Sequence, residues 1–117
     1  MDILRSPGSA PGRSQGTAFG QLVWAVATDR MASATIEEQT RRTLSELDRV
    51  LMELGSDRTR ILSATVYLAR MSDKPRMDAA WVEWIGSDRS HWPQRACVGA
   101  ALEGKTLVEI VLVAAKI

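Results

Sequence analysis

Two stretches of this chain are apolar at nearly every position. One is Leu22-Val23-Trp24-Ala25-Val26-Ala27; the other runs from Leu107 to Ala115 and is interrupted only by Glu109. Both are short and rich in β-branched or aromatic residues. They therefore read as strands covered on both faces, not as half-buried strands with one wet side. This requirement is severe for a chain of 117 residues, which can build one core and not two.

The rest of the pattern supplies only part of the cover. Thr35 and Glu38 stand at capping-box spacing, each able to satisfy an orphan amide at a helix start. Leu44, Leu47, Val50, Leu51 and Leu54 then form one apolar stripe at three- and four-residue steps. Glu37 with Arg41, and Glu38 with Arg42, are spaced to pair on the wet side, and Gly55 suits the left-handed stop. Ala64, Val66 and Leu68 alternate with Ser63, Thr65 and Tyr67, as in a strand. Asp73 begins a shorter helix, with Pro75 in its first turn, an inner stripe of Met77, Ala80, Trp81, Trp84 and Ile85, and a stop at Gly86. Beyond Pro93, a strand from about Arg95 to Leu102, the turn Glu103-Gly104-Lys105 and the strand Leu107 to Ala115 read as an antiparallel hairpin. Residues 6–17, rich in Ser, Pro and Gly, read as a loop, with at most a short strand near Ile3 before them.

The expectation is a single α+β domain over residues 1–117, with residues 1–16 a loop-rich N-terminal segment. Its two helices can cover one face of a mixed sheet. No segment is left for the second face, so another copy of the chain is expected to supply the cover.

Composition narrows the function classes. Fifteen basic and fourteen acidic residues leave a net charge of +1, which provides no electrostatic footprint for nucleic acid or an anionic membrane. No apolar run approaches the roughly 20 residues of a membrane-spanning helix, and residues 1–18 lack a signal-peptide core. A single cysteine, Cys97, excludes an internal disulfide. The cytoplasm is the expected compartment. One Cys and one His offer no metal-ligand set, and Pro11-Gly12 lacks the lysine of a phosphate loop. No metal and no cofactor are expected.

Glu109, set in the most apolar strand, must be paired, protonated or facing a cavity, because a buried unpaired carboxylate costs several kcal/mol. Arg95 stands at the start of the adjoining strand in Trp92-Pro93-Gln94-Arg95-Ala96-Cys97. Two readings are open. Either Arg95 and Glu109 form a structural salt bridge, or Arg95 holds an anionic ligand by its planar fork while Glu109 orients a water. Cys97 falls on the same strand face as Arg95. With His91 alone available and no third orienting group, it reads as a small buried hydrophobe and not a nucleophile. His91 reads as a loop residue, and Trp81 and Trp84 as packing.

Pro93-Gln94-Arg95-Ala96-Cys97-Val98, followed by Leu107-Val108-Glu109-Ile110, resembles the C-terminal signature of the reactive-intermediate deaminase family (Rid, YjgF-like, RidA-like endoribonuclease L-PSP). Gln39-Thr40 with Leu44, Leu47 and Leu54-Gly55 is similar to its first helix, and Ser63 to Leu68 to its middle strand. The resemblance spans residues 17–117. It implies a chorismate-mutase-like (YjgF-like) fold assembled as a homotrimer with clefts between subunits. It also implies hydrolysis of 2-imino acids, or their enamine tautomers, to 2-oxo acids and ammonia. Arg95 then binds the substrate carboxylate, Glu109 positions the water, and the backbone of Cys97 meets the ligand. Arg13 stands where deaminating members carry a tyrosine, Asp78 where they carry an asparagine, and Val26-Ala27-Thr28 where a Ser-Gly-Gln ends the early strand. These departures motivate an alternative, a non-catalytic trimeric binding protein for a small carboxylate metabolite.

Overall fold

A computed structural model describes residues 1–117. In chain order the elements are β1 (Leu4–Pro7), β2 (Ser14–Phe19), β3 (Leu22–Thr28), α1 (Ile36–Glu53), β4 (Ile61–Leu68), α2 (Lys74–Ile85), β5 (Gln94–Gly99) and β6 (Val108–Ala115). The strands form one six-stranded sheet in the order β1-β2-β3-β6-β4-β5. All pairings are antiparallel except β4 with β5. The two apolar stretches lie side by side at the centre, as their composition demands.

Both helices lie on one face. Leu44, Leu47, Val50 and Leu51 of α1 are buried against Val23, Ala25, Val66, Ile110 and Leu112 of the sheet. Met77, Trp81 and Ile85 of α2 extend the same core. At the start of α1, Thr35 Oγ1 accepts from the Glu38 amide at 3.2 Å. The reciprocal half of the box is absent, because the Glu38 carboxylate takes Arg42 Nε at 3.2 Å. Glu37 bypasses Arg41 and grips Arg76 of α2 through two bonds of 2.7 and 2.8 Å, so a charge expected to brace one helix joins two. Gly55, at φ 88°, ends α1 in the left-handed region that only glycine enters freely. Neither helix is long and apolar enough to cross a membrane.

The expected hairpin of residues 95–102 with 107–115 does not form. The first strand stops at Gly99 and pairs in parallel with β4, its predecessor across the α2 crossover. β6 passes beyond it and inserts between β3 and β4. Burial explains the choice. β6 buries every second side chain completely and belongs in the sheet interior, whereas β5 has no fully buried residue and suits an edge.

Residues 6–17 are likewise not one loop. β1 and β2 form an antiparallel hairpin; Pro7, Gly8, Pro11 and Gly12 lie in its turn or at a strand end, and Gly16 lies within β2. The overlooked signal is size alternation in β2. Gly16 and Ala18 face α1, and a Cβ on Gly16 would lie 2.6 Å from Val50 Cγ1 and 2.9 Å from Leu54 Cδ1. Only the smallest side chains fit under the helix, so this strand lacks the apolar signature of its neighbours.

The molecule is two layers thick, with a shortest extent of 19 Å. The sheet face away from the helices is bare. It exposes Phe19, Leu22, Trp24, Val98 and Val111, with Trp24 at 39% and Phe19 at 48%. Apolar residues aligned on one sheet face in this number mark an interaction surface, not scattered exposure.

Candidate functional site

Cross-strand register decides where each candidate residue points. Arg95 of β5 aligns with Ala64 of β4, whose partner across β6 is Leu112. Ala64 and Leu112 are buried beneath the helices, so Arg95 also lies on the helix-covered face, at the sheet edge. Its guanidinium meets α2. Nη2 donates to Asp78 Oδ1 at 2.6 Å, Nη1 approaches Met77 Sδ at 3.9 Å, and Cζ stands 5.2 Å from the centroid of the Trp81 ring. Trp81 is thus both core packing and a cation–π wall for Arg95. Cys97, two residues along the same edge, adjoins this group.

Asp78 is held from both sides, since Lys74 Nζ donates to Oδ2 at 2.7 Å, one helical turn before it. Burial alone would raise the Asp78 carboxyl. The hydrogen bonds from Lys74 and Arg95 outweigh that, and its pKa lies below the usual aspartate value. Burial pushes the Cys97 thiol up, against the weaker pull of Arg95 and Lys74. A raised thiol is poorly suited to act as a thiolate nucleophile at neutral pH.

Glu109 points the other way. It aligns with Thr28 of β3 and Tyr67 of β4, on the bare face. There it lines a cleft of about 280 Å³ together with Arg13, Gln15, Thr28, Arg30 and Glu103. Gln15 braces the wall by donating Nε2 to the Val26 carbonyl at 2.9 Å. None of the chain's ion pairs involves Glu109 or Arg13.

The salt-bridge reading of Arg95 with Glu109 is therefore wrong as to partner. β4 separates their strands, they face opposite sides of the sheet, and Asp78 is the carboxylate that Arg95 holds. Within one chain the candidates fall into two clusters. Arg95, Asp78 and Cys97 gather at the β5–α2 edge, and Arg13 and Glu109 gather at the mouth of the bare face. Lys74 and Arg30 join these clusters without having been singled out from sequence; the four-residue step from Lys74 to Asp78 was the available sign. His91 sits on an exposed turn, with Nε2 3.6 Å from Asp88. No three His, Cys, Asp or Glu side chains converge as a metal site would require.

A sequence model of the family described as endoribonuclease L-PSP matches residues 15–116. The chain belongs to this YjgF-like family. Among curated relatives, a RutC family protein from Haemophilus ducreyi is 44% identical over 79 residues, covering 67% of this chain and 66% of its own length. The RutC family protein YoaB from Escherichia coli is 43% identical over 79 residues, covering 67% of this chain and 68% of its own. The match thus spans about two thirds of these relatives' length. The crystal structure of NMB1025 from Neisseria meningitidis, a member of the YjgF protein family, superposes with a TM-score of 0.91 at 34% identity, covering 100% of this chain and 97% of that one. The YjgF-like fold of this chain, a mixed sheet with two helices on one face, is that of its relatives. Arg95, Glu109, Cys97 and Asp78 lie inside the matched residues, whereas Arg13 precedes them.

Proposed function

We propose that this YjgF-like protein is a cytoplasmic homotrimer that hydrolyses small 2-imino acids or enamines in clefts between its subunits. Each cleft joins the Arg95 cluster of one copy to the Glu109 cluster of the next. The observation that carries the reading is the split itself. A guanidinium anchor and an uncommitted carboxylate lie in separate clusters of one chain, and the carboxylate opens onto the apolar face that needs a cover. Closed cyclic assembly covers such a face on every copy at once.

The chemistry then follows from the side chains. Arg95 receives the substrate carboxylate through its planar fork, and Trp81 and Asp78 hold that fork in place beforehand. A protonated imine is already electrophilic at carbon, so no cofactor is required. Water hydrogen-bonded to the Glu109 carboxylate adds to that carbon, forming the C–O bond as the C=N π electrons pass to nitrogen and Glu109 takes the water's proton. Glu109 returns that proton to the carbinolamine nitrogen, the C–N bond breaks to release ammonia, and the hydroxyl proton passes back to the carboxylate as the C=O forms. Fixed charges around the cleft stabilise this rearrangement without having to reorganise.

The test is release of 2-oxo acid from an imine generated in situ by a pyridoxal-phosphate dehydratase. Acceleration over spontaneous hydrolysis should be lost in Arg95→Ala and in Glu109→Gln. Equal rates for wild type and Arg95→Ala would remove the proposed site. A second reading, a trimeric carboxylate-binding protein without turnover, draws on the Asp78 carboxylate already seated on Arg95 and on Arg13 in place of a phenol. It expects ligand-induced thermal stabilisation with no acceleration.

A further inference from the structure

The cleft beside Glu109 contains more cationic capacity than the reaction above uses. Arg13, at the end of the β1–β2 turn, lines it without any carboxylate partner, although Glu103 and Glu109 line the same space. Arg30 lines it too. Its one ion pair, with Glu46, is long at 3.8 Å, and Glu46 is already gripped by Arg49 at 2.6 Å. Arg13 is uncommitted and Arg30 is only loosely held, in contrast to Arg95. A planar fork without a partner is the group that takes a carboxylate in bidentate fashion. The cleft, at about 280 Å³, suits a small metabolite.

From this we propose that the protein selects substrates with two carboxylates, 2-imino dicarboxylates, and that Arg13 binds the carboxylate at the far end from the imine. Arg30 reinforces the positive wall. The inference rests on the composite site described under Proposed function: Arg95 takes the carboxylate next to the imine carbon, Glu109 holds the water, and the substrate's side chain extends toward Arg13. The reaction is the same hydrolysis, with no change of oxidation state. The competing possibility is a cationic side chain drawn to Glu103. Glu103 lies in an exposed turn, where solvent screens its charge, and it faces two guanidinium groups on the same wall.

Binding separates the possibilities without requiring turnover. The probes are product-like 2-oxo acids measured by titration calorimetry on the full chain: 2-oxoglutarate with two carboxylates, 2-oxobutyrate with one, and 5-guanidino-2-oxopentanoate with a cationic end. One charge-assisted contact corresponds to a preference of roughly 10- to 150-fold for 2-oxoglutarate over 2-oxobutyrate. Arg13→Gln should collapse that ratio toward 1, and Arg13→Lys should restore part of it. Arg13 is exposed and unpaired, so both variants are expected to melt with the wild type, which a thermal scan checks. Equal affinity for the two acids, a ratio unmoved by Arg13→Gln, preference for the cationic acid, or no binding of any probe would each overturn the proposal. A parallel turnover assay uses 2-iminoglutarate and a monocarboxylate imine, each generated by a flavin amino-acid oxidase. Selective binding without acceleration of either would remove the deaminase reading and leave the dicarboxylate preference. Acceleration of both imines with no dependence on Arg13 would do the reverse.

Discussion

Replacing Asp78 with asparagine should make the protein less stable and, at the same time, a better binder of small carboxylates. The two effects have separate origins. Asp78 gives one oxygen to Arg95 at 2.6 Å and the other to Lys74 at 2.7 Å. An asparagine keeps one acceptor oxygen for Arg95 but loses the charge. Exchanging a charge-assisted bond for a neutral one lowers stability by about 1 kcal/mol, since the side chains of Arg95 and Asp78 are only 18% and 32% exposed. For a domain of this size that is a fall in Tm of roughly 4 °C. Binding changes in the opposite direction. A ligand carboxylate sharing the guanidinium would stand about 5 Å from the Asp78 carboxylate, a repulsion of about 1–3 kcal/mol for an effective dielectric constant between water and a protein surface. Removing it tightens binding by roughly 5- to 150-fold. The assays are thermal unfolding and calorimetric titration of a 2-oxo acid on both proteins. Weaker or unchanged binding in Asp78→Asn would refute the reasoning. Arg95 would then be a structural partner of Asp78, not an anchor that Asp78 holds ready.

Acid should act in the same direction as that substitution. The folded pKa of Asp78 is depressed, so its contribution to stability is complete above the unfolded value of about 4 and is lost as pH falls through the folded value. The stability gap between wild type and Asp78→Asn should accordingly close below about pH 4 in pH-dependent denaturant titrations. Gly16→Ala places a Cβ 2.6 Å from Val50 Cγ1 and 2.9 Å from the Trp24 backbone oxygen, and should cost about 1–3 kcal/mol in chemical denaturation. Leu47→Ala, at a fully buried position in the centre of α1, should cost about 2–5 kcal/mol by the same measurement. Trp24→Asp puts a charge on the bare face and should leave a folded monomer in sedimentation velocity, whereas the proposed assembly predicts a wild type that sediments as a trimer.

Much of this architecture could be read from single residues. The stripe from Leu44 to Leu54 needs only a helical period, and β4 needs only alternation, so both were legible locally. The two-sided apolarity of β3 and β6 also fixed an energetic requirement, a cover on each face, before any coordinate was known. Pairing was different. Residues 94–99 and 108–115 are joined by a short turn-bearing segment, and sequence proximity suggested a hairpin. Which strand fills the sheet interior depends on the whole set of competing strands, and the fully buried face of β6 won the central place. β2 was hidden for a related reason. Its small residues answer to Val50 and Leu54 of a helix more than thirty positions away.

The same division runs through the candidate site. By itself the sequence determined that Arg95 and Glu109 were charges in apolar settings that needed explaining, because desolvation makes such placements costly wherever the fold puts them. It also set the expectation that a second copy covers the open face of the sheet. Only the tertiary structure decided that the two residues face opposite sides of the sheet, that Asp78 and Lys74 complete the setting of Arg95, and that Arg13 stands free beside Glu109. Those facts depend on strand order and register. One intervening strand and the two-residue alternation of side chains are enough to turn an apparent salt bridge into two separate clusters.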